Sequence, residues 1–260
     1  MEPASLTVSI AALAGLFNNA VDCFEYVQLG RGFGTNFQTS LLKLDNARLR
    51  LSRWGQSVGL SGDLEDVQSL HGTLGSAKDV SKAEGVLGQI LELFAAAEGV
   101  STKFKGRAKP TNTNLLVYNT QNDLEHVMAS LHAKMRELSI KRQNRTGLRH
   151  KAKWALYEEK HFRRLIEDVT DLINDLVELF PAAQAAQCQL CELEVSELGT
   201  DESLLVLKDI AADQDKYLET AISRALGNRN AMTNTWNNYD NAKIGQQLGQ
   251  QNVYGGLNIH

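Results

Sequence analysis

Apolar positions along the chain recur mostly at spacings of three and four, the pattern of helices that each bury one face. The longest apolar run comes first. From Leu6 to Leu29 the only charged residues are Asp22 and Glu25. As a helix this run would be roughly 36 Å long, enough to cross a hydrocarbon layer about 30 Å thick. Its larger apolar members are Leu6, Val8, Ile10, Leu13, Leu16, Phe17, Val21, Phe24, Tyr26, Val27 and Leu29, with Leu13, Leu16 and Phe17 on one helical face. Asn18, Asn19, Asp22 and Glu25 make it a costly permanent span, because a carboxylate at mid-membrane is expensive. Two readings stay open: a buried helix of a helical domain, or a helix able to exchange a protein core for a bilayer. The residues ahead of it, Glu2, Pro3 and Ser5, lack the basic start of a secretory signal, so secretion is not expected.

The rest of the pattern predicts a succession of helices. Leu41, Leu42, Leu44, Leu49, Leu51 and Trp54 place one over 36–58, capped by Thr35 and ended at Gly55 or Gly59, with Lys43, Arg48, Arg50 and Arg53 between the apolar positions. Residues 59–75 read as a connection. Ser76 opens a helix striped by Val80, Ala83, Val86, Leu87, Ile90, Leu91 and Phe94. Residues 106–119, around Pro110, read as a loop. Thr120 and Asp123 have capping-box spacing and predict a helix start there, followed by Leu124, Val127, Met128, Leu131, Met135 and Leu138. Gly147 predicts a break before a helix over 147–180. Pro181 suits the first turn of the next helix, to Leu198, and Thr200 caps the last, over 201–226. No run alternates with period two, so no sheet is predicted. The reading is an all-α bundle over residues 1–227. The remainder, 228–260, is dominated by Asn, Gln and Gly; it offers little apolar surface against its ordering entropy and predicts a flexible tail.

Composition leaves that picture in place and narrows the chemistry. A net charge of −4 argues against a nucleic-acid partner. Cys23, Cys188 and Cys191 are too few for a disulfide framework, which suits a reducing cytoplasm. The Cys188-x-x-Cys191 pair lacks further ligands for zinc and reads as two cysteines lining a core face. His126 and His132 fall on different helical faces. The acids Glu158, Glu159, Glu167, Asp168, Asp171 and Asp175 read as the outer face of a helix. No phosphate loop, nucleophile elbow or paired Glu-x-x-His motif occurs, so neither an enzyme nor a metal or cofactor site is expected. The strongest basic cluster is Lys141, Arg142, Arg145, Arg149, His150, Lys151 and Lys153. It reads either as a solvated helix junction or as a surface that attracts acidic lipid headgroups.

The run Gly15 to Arg31, GLFNNAVDCFEYVQLGR, is more specific than any of these patterns. It closely resembles the N-terminus of the HeLo domain of the fungal HET-s/HET-S prion and heterokaryon-incompatibility proteins, a group that includes fungal loss-of-pathogenicity proteins. The likeness continues through Phe33-Gly34, Leu42-x-Leu-Asp45, Ala47 to Gly55, Ile90 to Phe94, Lys151 to Tyr157 and Ser203 to Asp209. The resemblance implies an all-α fold and a dormant cytoplasmic cell-death effector. Its N-terminal helix would be released to enter and permeabilise membrane, on a signal from a prion-forming C-terminal segment. It also implies that Asp22 and Gly32 modulate activity: Asp22 matches an acid of the toxic type, and Gly32 stands where that type has proline. Gln89 stands where the relatives have Glu. Of the family's two prion repeats only Asn241 to Leu248 and Val253 to Gly256 are faintly similar here. Implied partners are a second copy, related HeLo or prion proteins, and membrane lipid on activation. Two further readings stay open: a non-toxic helical interaction module, and an inhibitory partner of a toxic relative.

Overall fold

The computed structural model of the chain describes residues 3–30, 36–61, 76–107, 117–120, 122–143, 154–156 and 158–237. Among these residues eight α-helices form a bundle, as the all-α reading expects. In order they are α1 (Pro3–Tyr26), α2 (Phe37–Ser57), α3 (Ala77–Arg107), α4 (His126–Lys141), α5 (Glu159–Leu179), α6 (Gln184–Leu198), α7 (Asp201–Gln214) and α8 (Lys216–Asn237). A 3₁₀ turn, Pro181–Ala183, joins α5 to α6 with Pro181 at its start.

Two apolar clusters make the core, and α2 lies between them. The first joins α1, α2, α3 and α5 through residues such as Phe17, Trp54, Leu87 and Val169. The second gathers α4, α6, α7 and α8 around Leu42 and Leu49 of α2. Every residue of α2 from Leu44 to Gly55 is buried, including Asp45, Asn46, Arg48, Arg50 and Arg53. The basic residues predicted between the stripes are thus inside, where each needs a partner. At Gly55 the Phe17 ring of α1 lies against the backbone of α2. A Cβ there would lie 2.3 Å from the Phe17 ring, so only glycine fits.

Several boundaries differ from the sequence reading, each for a local reason. The first helix ends at Tyr26, and Val27–Leu29 forms a strand, β1, pairing in parallel with β2, Trp154–Leu156. No sheet was expected; three-residue strands are too short to show an alternation. The helix expected from 147 starts at Glu159, after β2. The expected start at Thr120 moves to His126, because Asp123 instead accepts the Asn119 N–H at 2.7 Å inside a turn. Ser76 and Asp79 make the reciprocal cap in its place, at 3.3 and 3.4 Å. Gly59, at φ +85°, closes α2 as its C-terminal glycine. The helix expected over 201–226 is two, split at the extended Asp215. Its second half continues past Gly227 to Asn237; the rest of the expected tail, with Asn241 to Gly256, lies outside the described residues.

Candidate functional site at the foot of the first helix

The inner face of α1 is buried through Ile10, Leu13, Ala14, Phe17, Ala20, Val21 and Phe24. Phe17 meets Trp54 edge-on at 6.2 Å, and Phe24 meets Phe94 at 4.8 Å. Ala11, Ala12, Gly15 and Asn19 occupy the exposed outer face, and Leu16 is half-buried between. From Ile10 to Val21, then, neither face carries a charge. Val27 and Leu29 are also buried, but as strand residues, and Tyr26 is half-buried. The side chains of Leu6 and Val8 lie outside the described residues.

Charge is concentrated at the foot of α1. Glu25 accepts from Arg136 of α4 at 2.7 and 2.9 Å and is paired with Arg48 of α2. Burial would raise the Glu25 pKa, but the two guanidinium groups outweigh it and hold the carboxyl at about 2. One turn earlier, the Asp22 carboxylate accepts from the side chain of Gln143 at 2.7 Å, and the Asn18 carbonyl accepts from the same amide at 3.3 Å. Beside Arg48, Asp45 is bonded to His132 of α4 at 2.7 Å. Burial lowers the His132 pKa, and Asp45 more than reverses this, so the imidazole is raised overall. Asp22 and Glu25, read from sequence as obstacles to spanning a bilayer, are what fasten the helix to its neighbours.

A second ionic group holds the other half of the bundle. Arg53 reaches both oxygens of Glu194 at 3.1 Å and both of Asp215, at 3.2 and 2.8 Å, with all three side chains inside. Burial opposes ionisation of Asp215, yet Arg53 draws its pKa below the usual range. Asp215 also accepts the Leu218 N–H at 3.2 Å, capping α8, while Arg50 donates to the Gln214 carbonyl at 2.6 Å. One acid therefore serves as counter-ion and helix cap, which is why the chain breaks there.

The remaining expectations divide. Arg142 is not part of a basic surface: it is buried and paired with Glu194. Lys141 is exposed and paired with Glu137 at 2.8 Å. Arg145, Arg149, Lys151 and Gly32 lie outside the described residues. Cys191 is buried and its thiol is raised by burial, whereas Cys188 is exposed, so only one member of this pair faces the core. Gln89 is exposed. Among the described residues no helix is long and apolar enough to cross a membrane, and no group of acidic, His or Cys side chains is arranged to hold a metal.

Comparison with known proteins decides the family. Residues 5–207 match the HeLo family, described as "Prion-inhibition and propagation". The chain belongs to the HeLo family. It is 32% identical to heterokaryon incompatibility protein s of Podospora anserina over 262 residues, covering 99% of this chain and 88% of that protein. Against heterokaryon incompatibility protein S of the same fungus it is 34% identical over 225 residues, covering 86% and 75%. Two solved structures of the HET-s N-terminal domain share its fold, each with a TM-score of 0.74. They are 34% and 35% identical, cover 83% of this chain, and are themselves covered to 98% and 97%. The first is a double mutant, aspartate to alanine and, ten positions on, proline to histidine. Asp22 and Gly32 of the present HeLo domain have the same spacing. The aspartate and the proline are thus residues of HET-s, whereas the resemblance had assigned them to the toxic S type.

Proposed function

We propose that this HeLo domain is a dormant membrane-acting cell-death effector in which α1 is the element released, inserting into bilayer and permeabilising it. The observation that carries this reading is the division of labour along α1. Its middle, from Ile10 to Val21, has no charge on either face, while its ionic ties sit at its foot, on Glu25. Such a helix is held by apolar burial that a lipid interior can replace, plus one electrostatic fastening that a bilayer cannot. Release exposes the apolar face unless an acceptor is present, so a trigger or a lipid surface is required. In this reading the protein rests in the cytoplasm and relocates to membrane on activation, and a second copy or a prion-bearing relative supplies the signal.

Leu16→Lys provides the test. Leu16 is half-buried, so a lysine there can direct its ammonium outward in the folded state. In a membrane helix the same charge adds about 2.5–3.5 kcal/mol to insertion. Placed in the Glu25→Gln protein, whose α1 is unfastened, Leu16→Lys is expected to leave the circular dichroism unchanged and to abolish dye release from phosphatidylserine vesicles. Equal release by both proteins would refute an α1-based mechanism. The second reading, a non-toxic interaction module or inhibitory partner, is favoured by the absence of a helix apolar enough to span among the described residues. It predicts no release by either protein, and capture of a HeLo relative instead.

A further inference from the structure

The foot of α1 borders a cavity of about 560 Å³ between α1, β1, α2 and α4, within the size range of small-molecule sites. Phe24, Phe37, Leu41 and Leu44 supply an apolar wall, and Tyr118 stacks flat on Phe37 at 3.5 Å and 5°. Glu25, Asp45, Arg48, His132 and Arg136 supply a polar one. Arg48 stands out among them. It is only 3% exposed, its Nη1 is bonded to Glu25, and its Nε and Nη2 have no partner among the described residues. Nε–H and the adjacent Nη2–H form one edge of the planar guanidinium, a pair of parallel donors that matches the two oxygens of a carboxylate. A buried charged donor left unmet is costly, which argues that something polar completes it.

We propose that this cavity binds a small organic monoanion, a carboxylate with an apolar body, whose head lies on the Nε–Nη2 edge of Arg48 and whose body lies along Phe24, Phe37, Leu41 and Leu44. The charge of the wall selects the ligand class. Arg48 and Arg136 carry two positive charges, Glu25 one negative, and the bonded Asp45–His132 pair cancels when both are charged. The balance is one positive charge, which a monoanion neutralises. A phosphate monoester would place a second negative charge beside Glu25 and Asp45. An uncharged alcohol would leave the Arg48 edge half-met. This proposal is independent of the membrane reading, since it concerns the resting fold alone.

Titration of the full chain with sodium octanoate, followed by calorimetry and by the Arg48 Nε–H signal in NMR spectra, tests it. Expected are saturable one-to-one binding, a displaced Arg48 Nε–H resonance, and weaker binding of both 1-octanol and octyl phosphate. Arg48→Lys, which keeps the charge but loses the fork, is expected to weaken octanoate binding at least about tenfold. The wild-type NMR signal decides the matter even if that variant does not fold. No saturable binding, or binding that leaves the Arg48 Nε–H unmoved, overturns the proposal. Octanol binding as tightly as octanoate overturns the anion site, and tighter binding of octyl phosphate overturns the monoanion assignment.

Discussion

The Glu25 carboxylate takes hydrogen bonds from guanidinium groups on two different helices, and both consequences can be measured. Its folded pKa is about 2 against an ordinary value of 4.5. The stability it contributes is therefore complete above pH 4.5 and is lost as pH falls toward 2. Glu25→Gln leaves Arg48 buried without its counter-charge, at an expected cost of about 3–5 kcal/mol at pH 7. In urea unfolding the gap between parent and variant should close between pH 4.5 and 2; a constant gap would mean that the ion pair is not its source. His132 has the opposite sign. Its pKa is raised above 6.5 by Asp45, so its contribution is present below 6.5 and lost as pH rises through the raised value. His132→Gln should flatten that decline above pH 6.5, and an unchanged pH profile would exclude the pair as its cause. None of these partnerships was legible in the sequence. Arg53 and Asp215 are 162 residues apart, and a basic residue between apolar stripes ordinarily signals a solvated face.

At the scale of elements, α1 and α2 are coupled by a steric contact as well as by charge. Gly55→Ala would place a methyl group where the Phe17 ring already lies, and overpacking of this kind costs about 1–3 kcal/mol. Adding Phe17→Leu should recover part of that loss in thermal unfolding; strictly additive losses would show that the two residues do not compete for space. The helices with regular apolar stripes (α2, α3 and the middle of α5) were readable because burial on one face dictates the spacing. The shorter devices were not. β1 and β2 are three residues each, and only their pairing across more than a hundred residues of chain defines them. The break at Asp215 is hidden because apolar spacing continues on both sides of it, from Leu207, Ile210 and Ala211 to Leu218, Ala221 and Ile222. What interrupts the helix is the demand of a buried arginine on another element.

Across the whole molecule, α2 acts as a polar axis inside an apolar bundle. One end of its charge network holds α1 and α4, through Arg48 and Asp45; the other holds α6 and the α7–α8 junction, through Arg53 and Arg50. In the proposed mechanism the first half opens while the second keeps the remaining helices together. In that mechanism Glu25 fastens α1 in the resting state, and its loss frees the helix for lipid. A direct measurement uses the full chain with an environment-sensitive fluorophore on Ala11→Cys, a position on the exposed face of α1, after replacing the other exposed cysteine by Cys188→Ser. Vesicles of phosphatidylserine and phosphatidylcholine with brominated acyl chains then report contact with hydrocarbon. At pH 7 the parent is expected to show little quenching, and Glu25→Gln strong quenching with vesicle leakage. Quenching that is the same with and without Glu25, or a Glu25→Gln protein that loosens without entering lipid, would contradict it.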